Sequence, residues 1–274
     1  MIKPGKRVKI EKCKPGFRES LSDTIPVELL LTIHLNGTPL ATVSCLPDDL
    51  IELVIGYLLN NCYIGSYSDI NLLRLCEKEI KNKDLLSMAV MVEATCEPQT
   101  TGSGVRGTQF ISSSCGSFDD MILQKINKLG RIKKKPGLSA GTILELSSKT
   151  VKNQEFKNEF GGLHSAALFD WSSRCVCVIE DIGRHNCIDK LAGFMAIRKI
   201  TSCDKLLFTT GRISLDIIFK AYMMKIPVIV SNSSITHSAI FLAKKTQITA
   251  IGYARGGRFN IYSHPSRISP VTGL

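Results

Sequence analysis

Residues 205–254 have the sequence KLLFTTGRISLDIIFKAYMMKIPVIVSNSSITHSAIFLAKKTQITAIGYA. Three short apolar runs alternate in it with two longer segments whose apolar residues recur at helical spacing. The order strand, helix, strand, helix, strand requires parallel crossover connections. The stretch therefore predicts an α/β fold, a three-layer α/β/α sandwich with a sheet in the middle.

The predicted strands of this half of the chain end in small, polar or basic residues. In sheets of this kind, ligands bind beyond the carboxyl ends of the strands. The ends are Gly183-Arg184-His185, Thr210-Gly211-Arg212, Ser231-Asn232-Ser233-Ser234 and Ala254-Arg255-Gly256-Gly257-Arg258. Their agreement predicts a ligand site along one edge of the sheet.

The stretch Arg255-Gly256-Gly257-Arg258 has two interpretations. Two glycines let backbone N–H groups approach a ligand closely, and two guanidinium groups can each hold a phosphate bidentately. The alternative is a glycine-rich surface turn. With Arg184 and Arg212 at neighbouring strand ends, a phosphate-bearing ligand is the better prediction.

Ser233 and Thr236 precede an apolar helix, whose first N–H groups favour an anion. Simple capping of that helix is the alternative. His164 follows two glycines, and His185 stands at a predicted helix start. Either histidine is a hydrogen-bonded structural residue or a neutral donor and acceptor at the ligand site.

The rest of the chain predicts a second, smaller unit. Asn36-Gly37 between two alternating runs predicts a hairpin, and Pro47-Asp48-Asp49 predicts the start of a helix. Ser172-Ser173 predicts a second hairpin, residues 97–117 a long exposed loop, and residues 118–130 a helix. The predicted organisation is a flexible basic tail (1–24), a smaller N-terminal α+β domain (25–135) and the α/β/α domain (136–274).

The net charge is +11, from 35 basic and 24 acidic residues. Most of the excess lies in residues 1–23 and 122–160. Such clusters indicate an anionic partner, either nucleic acid, a polyphosphate ligand or an acidic protein face, or else solvated basic segments. The basic runs have no interleaved aromatic residues and no recognised motif, which argues against nucleic acid.

Ten cysteines are present without a single Cys-x-x-Cys pair, which argues against a zinc site. Cys175 and Cys177 stand in an alternating run that predicts both on one face of a strand. Cys115 lies among small residues 112–117, close to the basic run 125–135. Exposure and a positive field favour a reactive thiolate, although an unreactive exposed thiol is equally compatible.

No apolar run reaches the ~20 residues that cross a bilayer. The basic start, MIKPGKRVKI, is not followed by an apolar signal segment. The sequence therefore predicts a cytoplasmic protein without a membrane partner.

Several segments resemble the FdhD family of formate dehydrogenase accessory sulfurtransferases. Residues 180–191, EDIGRHNCIDKL, are similar to the family's EDVGRHNAxDK signature. Four further segments match the family in the same order: IELVIGYLL (51–59), SSSCG (112–116), GGLHSAALFD (161–170) and GYARGGRFNIYSHPSRI (252–268). The resemblance covers roughly residues 25–268.

The resemblance implies a sulfur carrier. A cysteine desulfurase would supply sulfur as a persulfide on Cys115. The sulfur would pass to the molybdenum or tungsten bis-pterin guanine dinucleotide cofactor before insertion into formate dehydrogenase. It further implies a larger domain resembling the cytidine deaminase fold, a homodimer, and cofactor binding at residues 253–258, which are Tyr253, Ala254, Arg255, Gly256, Gly257 and Arg258. With these we group Arg184, Arg212, Ser233, Thr236 and His164 as cofactor-binding candidates.

One departure from the family keeps an alternative open. Many members carry Cys-Gly-x-Cys where this chain has Cys115-Gly116-Ser117-Phe118, so a local disulfide cannot release the sulfur. The alternative is a chaperone that delivers the cofactor without moving sulfur. A nucleobase deaminase is disfavoured, because His164-Ser165-Ala166 lacks the glutamate and no Cys-x-x-Cys exists to hold zinc.

Overall fold

A computed structural model of the chain describes residues 2–77, 86–95, 109–111, 129–132 and 137–269. These ranges form a mixed α/β structure. The helices are α1 (Leu50–Asn60), α2 (Ala140–Lys152), α3 (Phe156–Phe160), α4 (Arg184–Ile197), α5 (Leu215–Met223) and α6 (His237–Thr246). Short 3-10 helices cover Tyr67–Asp69 and Pro265–Arg267.

The strands of the described residues form four sheets. They are β1 (Gly5–Lys14), β2 (Phe17–Pro26), β3 (Leu29–Leu35), β4 (Thr38–Cys45), β5 (Ile70–Glu77), β6 (Leu86–Ala94), β7 (Gln109–Ile111), β8 (Leu138–Ser139), β9 (His164–Asp170), β10 (Cys175–Asp181), β11 (Lys205–Thr209), β12 (Val228–Ser231), β13 (Thr249–Arg255), β14 (Arg258–Ile261) and β15 (Ile268–Ser269).

The largest sheet has the order β10-β9-β11-β12-β13-β14. Strands β11, β12 and β13 run parallel, as the alternation of residues 205–254 predicts, whereas β9 runs antiparallel to both of its neighbours, β11 and β10. Strand β14, which follows Gly256-Gly257, was not predicted and pairs antiparallel with β13.

Both faces of this sheet are buried. On one face Leu168, Leu207 and Ile229 belong to an apolar cluster that includes residues of α4, α5 and α6. On the other, Phe169, Phe208 and Val230 pack with residues of α2. Alternate side chains of a strand point to opposite faces, so each central strand must be apolar throughout.

The second large sheet has the order β5-β6-β3-β4-β7. Its hairpin β3–β4 turns at Asn36 and Gly37, both with positive φ (49° and 79°), which confirms the predicted two-residue turn. Helix α1 covers the sheet with an apolar stripe that includes Leu53 and Leu58. The predicted helix start is also confirmed.

Helices α1 and α4 connect the two large sheets by a direct backbone contact. A Cβ added to Gly56 of α1 would collide with the Asp189 carbonyl oxygen, and one added to Gly193 of α4 would collide with the Glu52 carbonyl. Only glycine permits so close an approach of two helix backbones.

The N-terminal segment differs from the prediction of a flexible tail over residues 1–24. Strands β1 and β2 form an antiparallel hairpin. Its turn is Pro15-Gly16, and Gly16 has φ 75°. Proline followed by a glycine with positive φ is typical of a type II turn. The prediction of a tail rested on the basic charge of the segment and did not take this turn signal into account.

Two further predictions were wrong in detail. Strand β7 lies within residues 97–117, which the sequence predicts as a loop. Cys175 and Cys177 do not share a face, because a β-bulge interrupts the register between them. Cys175 packs against the cluster that contains α2, and Cys177 packs against the opposite cluster.

Other predictions lie outside the described residues. The helix predicted over residues 118–130 falls largely there, as does the segment that carries Cys115. The boundary between the domains 25–135 and 136–274 stays a prediction. No helix of the described ranges combines the length and the apolarity that crossing a membrane requires.

Candidate functional site

One edge of the six-stranded sheet collects most of the predicted site residues. Strands β10, β11, β12 and β13 share one direction, so their carboxyl ends lie at the same edge. Strand β9 is reversed and contributes its first residue, His164, which pairs with Asp181 of β10. We call the residues His164, Arg184, Gly211, Ser231 and Ser233 at this edge the strand-end site.

Hydrogen bonds tie the loops of the strand-end site together. The Ser231 hydroxyl donates to the Gly211 carbonyl oxygen (2.7 Å), and the Ser233 N–H donates to the Ser231 hydroxyl (2.9 Å). The Tyr253 N–H donates to the Ser233 carbonyl oxygen (2.9 Å). The ends of β11, β12 and β13 are thereby fixed relative to one another.

Arg184 is the most informative side chain of the site. It lies across Gly211, where an added Cβ would stand 2.8 Å from the Arg184 Cβ. Its Nε is buried and has no hydrogen-bond partner among the described residues. A buried guanidinium nitrogen without a partner is costly, and an anionic ligand would satisfy it.

His164 stands beside this charge. Burial and the positive charge of Arg184 lower the pKa of His164, with smaller contributions from Lys157 and His185. The imidazole is therefore neutral at physiological pH, with one nitrogen as donor and the other as acceptor. A cation beside a neutral imidazole suits the phosphate and sugar of a nucleotide.

His185, the residue that follows Arg184 in the chain, forms a largely buried pair with Asp216. The His185 Nε2 is 2.5 Å from the Asp216 Oδ2, and the Ser214 hydroxyl donates to the same carboxylate. Although burial raises the pKa of Asp216, its contacts with His185, Ser214 and Lys220 together outweigh the burial and hold the pKa below its usual range. The sequence pattern does not reveal this pair, because 30 residues of chain separate its members.

Gly256 and Gly257 form the two-residue turn between β13 and β14, with φ of 61° and 73°. Arg255 and Arg258 are exposed and directly opposite each other, so both side chains lie on one face. The Arg255 guanidinium carbon is 6.0 Å from the centre of the Tyr253 ring. The stretch is thus a surface turn by geometry, and it presents two like charges that an anion would bring into balance.

The other predicted residues are placed less distinctively. Thr236 caps α6 by accepting a hydrogen bond from the Ala239 N–H (3.3 Å), as its capping interpretation requires. Arg212 is exposed just after Gly211, and Ala254 is buried. Cys115 lies outside the described residues, so its relation to the strand-end site stays a prediction.

Most of the block 180–191 holds the structure together. The Glu180 carboxylate accepts the N–H groups of residues 155, 156 and 157 at 2.7–3.0 Å, at the start of α3. Asp181 and Lys190 form a fully buried ion pair (2.7 Å), and both also bond to the backbone of Leu46, beside α1. Asp189 accepts from Asn60 (2.8 Å) and Lys220 (2.6 Å).

The described residues contain no group of three or more His, Cys, Asp or Glu side chains that could hold a metal ion. What the strand-end site offers a ligand is cationic and neutral nitrogen, which suits the phosphates of a nucleotide rather than a bare cation.

Comparisons with known proteins agree with one another. The model of the FdhD/NarQ family matches residues 26–269. The chain is similar to the sulfur carrier protein FdhD of Sulfolobus acidocaldarius (35% identical over 266 residues, 96% of this chain and 98% of the relative) and to that of Staphylococcus aureus (35% over 267 residues, 94% of each).

A solved structure from Desulfotalea psychrophila, described as that of a formate dehydrogenase accessory protein, has the same fold. The TM-score is 0.76 at 22% identity, and the match covers 97% of this chain and 99% of the other. The family match spans both large sheets, the strand-end site and the arginine turn. The chain therefore belongs to the FdhD/NarQ family.

Proposed function

We propose that the protein is a sulfur carrier for the maturation of a formate dehydrogenase. It takes sulfur from a cysteine desulfurase as a persulfide on Cys115. It then transfers the sulfur to a molybdenum or tungsten bis-pterin guanine dinucleotide cofactor held at the strand-end site. The names of its relatives, sulfur carrier protein FdhD and formate dehydrogenase accessory protein, support this role.

The observation that carries the ligand part of the proposal is the buried Nε of Arg184, which lies beside a neutral His164 and has no hydrogen-bond partner in the described part of the chain. The guanine dinucleotide cofactor is the substrate here, and its phosphates supply the anion that this nitrogen lacks. The opposed pair Arg255 and Arg258 offers a second phosphate contact. The larger domain, a three-layer sandwich of the cytidine deaminase type in this proposal, provides the rigid edge, and the protein works in the cytoplasm as a homodimer.

The sulfur step balances as two nucleophilic substitutions. The Cys115 thiolate attacks the terminal sulfur of the donor's persulfide, and the donor's cysteine leaves as a thiolate. In the second step the S–S bond of the persulfide breaks, and the sulfur of Cys115 leaves as a thiolate. In the direct route the cofactor's metal centre would supply the electron pair of the new bond and lose two electrons, which the transferred sulfur gains. An external thiol would instead take the sulfur as its own persulfide and then pass it to the cofactor by the same step. Because Phe118 replaces the second loop cysteine, no local disulfide forms.

One sequence observation favours a second candidate, a chaperone that carries the cofactor without moving sulfur. The observation is the same Phe118. Both candidates require nucleotide binding at the strand-end site, and only the sulfur carrier requires a persulfide on Cys115. The two are therefore separated by the presence or absence of that persulfide.

We predict that the protein binds GDP and that Arg184→Ala and the double variant Arg255→Ala/Arg258→Ala both weaken binding. Hydrogen bonds to a charged group contribute roughly 1.5–3 kcal/mol each, so affinity should fall by about tenfold or more. Isothermal titration calorimetry measures the change. Arg174→Ala, an exposed arginine at the opposite end of β10, is the matched control.

Wild-type affinity in the Arg184 variant would contradict the ligand site. Wild-type affinity in the double variant alone would withdraw the turn from it and leave the strand ends. Cys115→Ala should bind GDP as the wild type does, since the proposal gives its thiol a part in sulfur transfer only.

A further inference from the structure

The hairpin of β1 and β2 has no part in the function proposed so far. It forms a two-stranded sheet of its own, to which no other described strand pairs. Residues 11–20, its outer half, are all exposed. An isolated two-stranded hairpin is marginally stable in water, and its unpaired edges are templates for another chain. Binding to a partner protein would stabilise the hairpin and cover its unpaired edges.

All the large apolar side chains of the hairpin lie on one face, which we call its apolar face. The register places Ile10 opposite Leu21 and Lys14 opposite Phe17, and directly opposite residues share a face. Ile25 lies on the same face, opposite Lys6. Phe17 and Ile25 are 54% and 42% exposed. A large aromatic side chain held at the tip of a hairpin is the kind of residue that anchors protein interfaces.

The charge of the hairpin selects the chemistry of the partner. Residues 5–26 contain six basic and three acidic side chains, and one of the acids, Glu11, is bound by Arg18 (2.8 Å) and Ser20. Lys6, Lys12 and Lys14 stand on the same face as the apolar side chains, where Glu19 lies opposite Lys12 and Asp23 lies opposite Val8. An acidic protein surface complements the hairpin as a whole, whose six basic and three acidic side chains give a net charge of +3, whereas the hairpin of a second copy carries the same positive charge.

The base of the hairpin adjoins the strand-end site. An added Cβ at Gly162 would be 3.7 Å from the Pro26 ring, and one at Gly5 would be 3.0 Å from the Phe160 ring. Residues 161–163 lead directly into His164. A protein that docks along the hairpin as far as its base therefore approaches the strand-end site.

We propose that the hairpin Gly5–Pro26 is a docking arm for an acidic surface of the protein that receives the ligand from the strand-end site. The inference rests on the proposed function, under which that receiving protein is a formate dehydrogenase. The apolar face supplies the contact area, and Lys6, Lys12 and Lys14 supply orientation and speed of association.

The test measures binding of the full chain to purified, cofactor-free formate dehydrogenase of the same organism, by biolayer interferometry at several salt concentrations. The arm variant is K6Q/K12Q/K14Q/F17S. Its matched control, K152Q/K225Q/K244Q/F241S, removes the same charge and a similarly exposed phenylalanine (61% against 54% for Phe17) elsewhere. Glutamine is chosen because a glutamate at position 12 would face Glu19 across the strands.

The arm variant should bind the enzyme about tenfold more weakly or worse, with a shallower salt dependence. The control should bind as the wild type does, and both variants should keep wild-type GDP affinity. Equal binding by arm variant and wild type would overturn the docking arm while leaving the proposed function intact.

Three other outcomes would also overturn the inference. The first is no binding of formate dehydrogenase by the wild type, in which case GDP calorimetry decides separately whether the ligand site stands. The second is a dimer in sedimentation velocity that the arm variant abolishes. The third is arm-dependent binding of a DNA duplex together with arm-independent binding of the enzyme.

Discussion

At the scale of single residues, the block from Glu180 to Lys190 has two roles, one in holding the fold together and one at the strand-end site. Glu180 caps α3, and the buried pair of Asp181 and Lys190 bonds to the chain at Leu46. Arg184 belongs to the strand-end site, and His185 follows it in the chain. No spacing rule predicts these roles, because Leu46, whose N–H donates to Asp181, lies 135 positions away in the sequence. Sequence reasoning located the block and its arginine, whereas the roles of its carboxylates required the fold.

The contact between His185 and Asp216 gives a prediction about stability. Because the pKa of Asp216 is lower in the folded protein than in the unfolded chain, its stabilisation is present above the unfolded value, near 3.9, and is lost as the pH falls below it. Asp216→Asn should therefore lower the free energy of unfolding by about 2 kcal/mol at pH 7.

Urea unfolding from pH 7 to pH 3 checks this expectation. The difference between wild type and variant should narrow as the pH falls through about 4. A difference that stays constant or widens towards low pH would show that the Asp216 carboxylate is not held in its charged form by His185. Asp204→Asn, a carboxylate at the surface, serves as the control.

At the scale of elements, the sequence predicts correctly those turns and helices that depend on residues close together in the chain. The turn at Asn36-Gly37, the turn at Ser172-Ser173 and the helices between residues 184 and 246 all follow from turn residues and apolar spacing. The errors arose where one residue alters the geometry. A single bulged residue reverses the expected face of Cys177, and Pro15-Gly16 turns an expected tail into a hairpin.

The crossing of α1 and α4 could not be predicted from either helix alone, because a helical glycine looks unfavourable until its neighbour is known. Gly193→Ala should destabilise the protein by at least about 2 kcal/mol, since the new Cβ would displace the Glu52 backbone. Elsewhere in a helix the same change stabilises by about 0.5–1 kcal/mol.

Gly141→Ala is the matched control, because its added Cβ would meet only the Ser139 hydroxyl at 3.4 Å. Thermal unfolding of both variants makes the comparison. Equal melting temperatures for the two would contradict the close contact of α1 with α4.

At the scale of the whole molecule, the position of the strand-end site follows from the direction of the strands. Three parallel strands in residues 205–254 place their polar ends together, and this much is present in the sequence pattern. The reversal of β9, which brings His164 to the same edge, is a property of the sheet as a whole. The pairing of β13 with β14 likewise decides that Arg255 and Arg258 face one another.

The proposed function requires that sulfur reach one particular thiol, that of Cys115. Among the described cysteines, burial raises the pKa of Cys45 and Cys187, and raises that of Cys177 to about 12, so these are poor nucleophiles. Cys13 and Cys203 are exposed and could compete with Cys115 in a labelling reaction. Any test must therefore locate the modified residue and not only detect the modification.

The most direct measurement is peptide-level mass spectrometry of the protein after incubation with a cysteine desulfurase and cysteine. We predict a gain of one sulfur, about 32 Da, on the peptide that contains Cys115, and its loss in Cys115→Ala but not in Cys203→Ala. Sulfur found mainly on another cysteine, or on none while GDP still binds, would contradict the sulfur carrier and leave the cofactor chaperone.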